Sequence, residues 1–345
     1  MPGLEAHQEL FDRSEYFFDD IDAQAASLNG WQLDYMQLST GAFKGAVHRI
    51  DLGGVRLVAE DLHQSVYQEG LLPPHIVALG IPIYFQGEAL FCGRPGTVSD
   101  MYFFSGSNGF EFRSPRRQVM VNIEIDAALF QSLVQADDAE TLPASLTAHL
   151  HTLRKDTVDS LRRGVLELFA GVARNADVLS QAAQSERARE MLLERLGLGL
   201  ACPCDAARAR QQAPTPRQLA LERRARDLIQ CCLQDPPTVE QMCQTLNVSH
   251  RSLQSCFNAV WGIGPHRYLN IVRLNAARRK LKTVPRVTEV ATEFGFWHFG
   301  HFSSDYKALF GESPSATACR YQGQFHKGTR KGPLNGPVNG LPKGS

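Results

Sequence analysis

Residues 238–262 read TVEQMCQTLNVSHRSLQSCFNAVWG. Thr238 followed three residues later by Gln241 is a capping-box pattern that starts a helix, because each side chain can satisfy a backbone N–H the helix leaves free. Val239, Met242, Cys243 and Leu246 recur at helical spacing and predict its buried stripe. Asn247 breaks this helix, Val248 plugs inward, and Ser249 suits the N-cap of a second helix with Leu253, Phe257 and Val260 inside. Two short helices joined by a tight turn predict a helix-turn-helix. With Leu253 and Phe257 inward, His250, Arg251, Gln254 and Ser255 face outward near the second helix's N-terminus, where a recognition helix meets base edges.

The pattern recurs 48 residues later: Val239 matches Val287, Met242 matches Val290, Cys243 matches Ala291, Leu246 matches Phe294, and Val248 matches Phe296. Gly295 takes the place of Asn247, as suits a helix end that needs positive φ. In FGHFSSDYKALF, Phe302, Tyr306, Leu309 and Phe310 are predicted core, which leaves Phe299, Gly300, His301, Ser303 and Ser304 outward. Between the repeats, PHRYLNIVRLNAARRKLKT predicts a helix of about 18 residues, roughly 27 Å long. A rigid spacer of that length can set two recognition helices about one DNA turn apart, roughly 34 Å. Its cations Arg273, Arg278, Arg279, Lys280 and Lys282 are expected near phosphates.

Charge divides the chain. Residues 1–213 hold 18 Lys and Arg against 28 Asp and Glu, a net −10, whereas residues 214–345 hold 18 against 8, a net +10. A basic half favours a nucleic-acid partner, since neutralising phosphates releases counterions. The expected organisation is a sensing and dimerising domain at 1–200, a linker at 201–217, a double helix-turn-helix domain at 218–322, and a basic, irregular tail at 323–345. In the first of these, WQLDYMQLSTGAFKGAVHRIDLGGVRLVAEDL, HIVALGIPIYFQG and RQVMVNIEID read as short strands with Gly at their junctions, and predict an antiparallel sandwich or barrel over 31–125, with a small cupin-like β-barrel the fold expected. From Asp126 to about Leu200 the period becomes helical, with Val158, Leu161, Val165, Leu168 and Phe169 on one stripe. The fold class expected is therefore α+β, with an all-α C-terminal domain.

Other chemistry is thinly represented. Glu60, His63, Glu69 and His75 are the clustered candidates for a metal, and they sustain one alternative: a barrel metalloenzyme with an appended DNA-binding domain. No catalytic residue, resident cofactor or metal is expected beyond that alternative. The eight cysteines lack CxxC spacing and read as reduced thiols of a cytoplasmic protein, with Cys202 and Cys204 unassigned. The N-terminal stretch lacks the pattern of a secretory signal, and no apolar run approaches the roughly 20 residues of a membrane span.

Residues 220–322, through VSHRSLQSCF, GIGPHRYLNIVRLNAARRKL and GFWHFGHFSSDYKALFGESP, resemble the AraC/XylS transcription regulators. The resemblance implies two helix-turn-helices joined by a long helix, with base contacts from Arg251, Gln254 and Ser255 in the first motif and from Phe299, Gly300, His301, Ser303 and Ser304 in the second. Ser255 and Ser304 depart from the Arg that many members carry there. RLNAARRKL, GFWHFGHF and the pattern W-x3-Y-x-QL-x2-G-x-F-x-G are similar to the ethanolamine operon regulator of that family. That likeness implies activation of a catabolic operon by a small amine or alcohol, with cobalamin as a co-effector. Double-stranded DNA, RNA polymerase, an effector and a second copy of the chain are the partners expected.

Overall fold

A computed structural model describes residues 17–28, 30–104, 109–135, 149–175, 182–201 and 213–328. The first part is built on antiparallel strands. A seven-stranded sheet runs β1 (Phe17–Phe18), β3 (Gly45–Asp51), β4 (Val55–Leu62), β11 (Arg117–Asp126), β6 (Ile76–Gln86), β9 (Asp100–Phe104) and β12 (His149–Thr152). A five-stranded sheet runs β2 (Gln32–Gln37), β5 (Val66–Leu71), β10 (Phe110–Arg113), β7 (Ala89–Phe91) and β8 (Arg94–Gly96).

The sheets pack face to face without joining at their edges, so the barrel anticipated from the sequence is not closed. Strand β12 lies where only helix was expected; its four residues are too few to show a period.

The central strand β11 explains the layering through the two-residue period of a strand. Val119, Val121, Ile123 and Ile125 join a core with α2 (Ala127–Gln135), α3 (Lys155–Arg174) and α4 (Ala182–Ala201). That core includes Val158, Leu161, Val165 and Phe169 of the predicted stripe, with Leu168 half-buried against it. Met120, on the opposite face of β11, meets Phe91, Phe110 and Phe112 of the five-stranded sheet. A polar group is buried between the sheets as well. Glu60 accepts hydrogen bonds from the Tyr35 hydroxyl (2.8 Å), Gln24 Nε2 (3.1 Å) and Gln68 Nε2 (3.1 Å). Burial raises the Glu60 carboxyl above its usual range although these donors favour its charge.

Helix α1 (Ile21–Ser27) precedes β2, capped by the Asp20 carboxylate, which accepts from the Ala23 N–H at 2.9 Å.

The C-terminal helices are α5 (Pro216–Cys231), α6 (Val239–Leu246), α7 (His250–Trp261), α8 (Pro265–Leu281), α9 (Val287–Glu293), α10 (Phe299–Phe310) and α11 (Pro314–Gly328). Helix α8 divides their interior in two. Tyr268 and Leu269 complete one core with Val239, Met242, Leu253 and Phe257, while Ile271, Leu274 and Ala277 complete another with Val290, Phe302 and Tyr306. Residues 202–212 of the expected linker, with Cys202 and Cys204, lie outside the described residues, as do 329–345 of the expected tail. Helix α11 continues to Gly328, beyond the point where the tail was expected to lose structure.

Candidate DNA-binding surface

Both helix-turn-helices form as the sequence implies. Thr238 and Gln241 make the reciprocal capping box of α6, Asn247 ends that helix in the left-handed conformation at φ 53°, and the Ser249 hydroxyl caps α7. Gly295 turns at φ 74° in the second motif. A left-handed residue is needed at both places, and Asn tolerates it better than other side-chain-bearing residues.

The two motifs differ by one residue. Val239 to Leu246 match Val287 to Phe294 at an offset of 48, but Leu253 matches Phe302, Phe257 matches Tyr306 and Gly262 matches Gly311 at an offset of 49. The second turn is therefore one residue longer. Val248 and Phe296 plug the turns from inside, and the additional residue of the second motif is Trp297, which is 73% exposed. The sequence reading placed most aromatics of this stretch in the core and passed over Trp297. An uneven offset between the repeats was the signal that could have found it.

The outward faces agree in exposure with the residues expected to read bases. His250, Arg251 and Ser255 are exposed and Gln254 half-buried on α7; Phe299, Gly300, His301, Ser303 and Ser304 are exposed on α10. Leu253, Phe257, Phe302 and Tyr306 are buried beneath them. Beside α7 lies a groove of about 610 Å³ lined by Arg217, Arg224, Arg251, Ser252 and Ser255. Arg217 and Arg224 come from α5, upstream of the repeat, and no motif singled them out.

The expected phosphate ligands on α8 are occupied. Arg273 donates from Nε to the Phe294 carbonyl (2.7 Å) and stacks 4.2 Å above the Phe296 ring, so it braces the second turn. Arg278, 4% exposed, lies between Asp20 (3.2 Å) and Glu312 (2.5 Å). Arg279 pairs with Asp22 (3.3 Å) and Asp34 and donates to the Tyr35 carbonyl (2.6 Å). Lys280 pairs with Glu293 (3.0 Å), and Lys282 with Asp20 (2.7 Å) and Asp22. The acidic half thus supplies anions to three cations, Arg278, Arg279 and Lys282, that the sequence alone directs toward DNA.

Further contacts make this an extensive junction. Gln37 and Asn275 exchange hydrogen bonds, the Gln37 N–H donating to Asn275 Oδ1 and Asn275 Nδ2 to the Gln37 carbonyl, each at 3.1 Å. Gln37 Nε2 also donates to the Leu309 carbonyl at 2.7 Å. Tyr67 meets Trp261 edge to face at 4.9 Å, and Arg226 bridges Tyr67 and Glu111. Trp261 Nε1 donates to Glu222 at 3.0 Å; burial lifts that carboxyl to about 7 against the pull of Arg226.

Burial alone would raise Asp20 too, but Lys282 prevails and brings it to about 2. A depressed carboxyl stabilises the fold fully above its ordinary value of 3.8 and loses that contribution as pH falls toward 2. Its loss is expected to cost on the order of 2 kcal/mol. Urea midpoints at pH 5 and pH 2.5 check this: Asp20→Asn, which keeps the helix cap, should lower the midpoint clearly at pH 5 and by much less at pH 2.5, the difference closing only below pH 2. An equal deficit at both pH values would contradict the assignment.

The metal candidates do not converge. Glu60 is enclosed by Tyr35 and glutamines, His63 faces Asp61 at 3.5 Å, and Glu69 lies half-exposed beside Arg226. Among the described residues no three His, Cys, Asp or Glu side chains are grouped to hold a metal ion. Nor is any helix there long and apolar enough to cross a membrane.

Two helix-turn-helices whose second helices expose one face, joined by α8, have the geometry of a DNA-binding domain. Residues 242–320 match the helix-turn-helix domain family HTH_18. The probable thc operon regulatory protein of Rhodococcus erythropolis is 41% identical over 112 residues, 31% of this chain and 34% of that protein. The XylDLEGF operon transcriptional activator 1 of Pseudomonas putida is 34% identical over 87 residues, 24% of this chain and 26% of that protein. A solved structure of a probable AraC family transcriptional regulator from Rhodopseudomonas palustris is 31% identical, covering 30% of this chain and 97% of that one, with a TM-score of 0.28. The chain thus spans about a third or less of the length of these two curated relatives.

Proposed function

We propose that the chain is a sequence-specific transcription regulator that reads double-stranded DNA through α7 and α10 and adjusts this reading to a small effector held by its N-terminal half. The observation that carries the proposal is the exposure of His250, Arg251 and Ser255 on one recognition helix and of Phe299 to Ser304 on the other, while their opposite faces are buried against α8. Arg251 suits the paired acceptors of guanine and Gln254 those of adenine. Positioning on the backbone falls to Arg217 and Arg224, which flank the groove beside α7, because Arg273, Arg278, Arg279 and Lys280 of α8 already hold carboxylates or a carbonyl.

A cleft of about 770 Å³ between the five-stranded sheet and α5 suits the effector: Leu33, Asp34, Glu69 and Phe110 line it from one half, Arg223 and Gln230 from the other. A ligand there touches both halves and can favour one arrangement over another. The likeness to the ethanolamine operon regulator makes a small amine or alcohol, with cobalamin as co-effector, the first compounds to try. Activation of an operon through RNA polymerase and action as a homodimer belong to the same reading. The relatives are operon regulators, which favours this function over a barrel metalloenzyme.

Selection of binding sites from random DNA tests the proposal. Arg251→Ala or Gln254→Ala is expected to weaken the selected site by about 1–3 kcal/mol and relax preference at one or two base pairs. Arg224→Ala should instead weaken all sequences alike and lower the log–log salt slope by about one. Selection that is unchanged by either α7 variant would reject the assigned face.

A further inference from the structure

Once the longer second turn is taken into account, the two recognition helices carry different reading chemistry. At the offset of 49, Arg251 corresponds to Gly300, Gln254 to Ser303 and Ser255 to Ser304. The two long donors that let α7 reach base edges are replaced on α10 by Gly300, which has no side chain, and Ser303, a hydroxyl, while Ser255 and Ser304 are alike. A Cβ added at Gly300 would meet nothing within 4 Å, so that position is open space. What projects from the tip of α10 is aromatic: Trp297 is 73% exposed and Phe299 42%. His298 and His301 stand beside them with rings 6.1 Å apart and perpendicular. An exposed Trp next to an exposed Phe is costly in water and marks a contact surface.

Its occupant can be identified from position. The patch lies on the residues leading into α10 and on its first turn, on the end that a recognition helix presents to the major groove. In that groove the apolar feature is the C5-methyl group of thymine, which is read by apolar contact rather than by hydrogen bonds. We infer that Trp297, with Phe299, reads thymine methyl groups in the second half of the binding site, while α7 reads its half through Arg251 and Gln254. The inference rests on the regulator reading above and assigns the specificity of one half-site within it. The backbone before Trp297 is fixed by its neighbour Phe296, which is buried against Phe302 at 4.9 Å and covered by Arg273.

The test uses the full chain and its selected DNA site. Replacing thymine by uracil removes one methyl group and no hydrogen-bonding group. Each substitution at a contacted thymine in the second half is expected to weaken binding about fourfold, the value of one buried methyl group; the same change in the first half should have no effect at positions read by Arg251 and Gln254. Trp297→Ala should lose most of the preference for thymine over uracil and Trp297→Ala with Phe299→Ala all of it, with circular dichroism confirming that the exposed substitutions leave the helices intact. Trp297→Phe should keep part of the discrimination. If uracil throughout the second half leaves wild-type affinity unchanged, or if Trp297→Ala prefers thymine as strongly as the wild type, the assignment is overturned and the patch faces a partner other than DNA. A chain that selects no sequence overturns the regulator reading itself, whereas selection that depends on Arg251 but ignores uracil overturns the Trp297 assignment alone.

Discussion

Arg278→Ala is expected to cost about 3–5 kcal/mol of stability, the effect of removing one member of a buried ion cluster and leaving the others uncompensated. Asp20 and Glu312 both point at Arg278, which is 4% exposed, and Asp20 is itself almost out of solvent. Lys282 would still reach Asp20, but Glu312 would keep only Arg320 at 2.7 Å and the Thr317 hydroxyl at 2.9 Å. The loss should fall on the junction between the halves, because Asp20 belongs to the first and Arg278 to the second. Urea unfolding followed by far-UV circular dichroism, with protease access to the junction, would measure it. Arg278→Met combined with Asp20→Asn and Glu312→Gln should recover much of the loss, since replacing a whole buried ion group with neutral residues is close to neutral. An Arg278→Ala protein as stable as the wild type would show that solvent reaches the cluster.

Phe302→Ala should cost a similar amount, about 3–5 kcal/mol, through a different mechanism: transfer of the ring out of the core and the cavity left behind. Phe302 is 1% exposed and packs between Phe296 at 4.9 Å and Tyr306 at 5.7 Å. These rings belong to the core on the α10 side of α8, separate from the core that supports α7. Amide exchange should therefore quicken in α10 while α7 stays protected. On DNA, the protected region should shrink toward the half read by α7. Uniform loss of protection in both motifs would mean that the two cores unfold as one unit.

What could be read directly followed local rules. The capping box at Thr238, the left-handed turns at Asn247 and Gly295, and the alternation of inward and outward residues on α7 and α10 depend on neighbours within a few positions, so the two motifs and their exposed faces were legible. The stripe on α3 was legible for the same reason. The four-residue β12 and the failure of the sheets to close were not, because strand pairing is decided by partners distant in sequence.

The residues of α8 mark the boundary between the two kinds of information. By itself, the sequence determined that a long helix joins the repeats, that it is basic, and that it belongs to a basic half set against an acidic one. Which anion each cation meets depends on what the fold brings within a few ångströms. Asp20, Asp22 and Asp34 lie some 240 residues or more from the arginines they hold, as the separations of 258, 257 and 245 residues show. Charge patterning announces an electrostatic partner but cannot distinguish a phosphate from a carboxylate. That choice was made only by the tertiary structure, because Coulombic attraction and its screening depend on distance and burial, not on order along the chain.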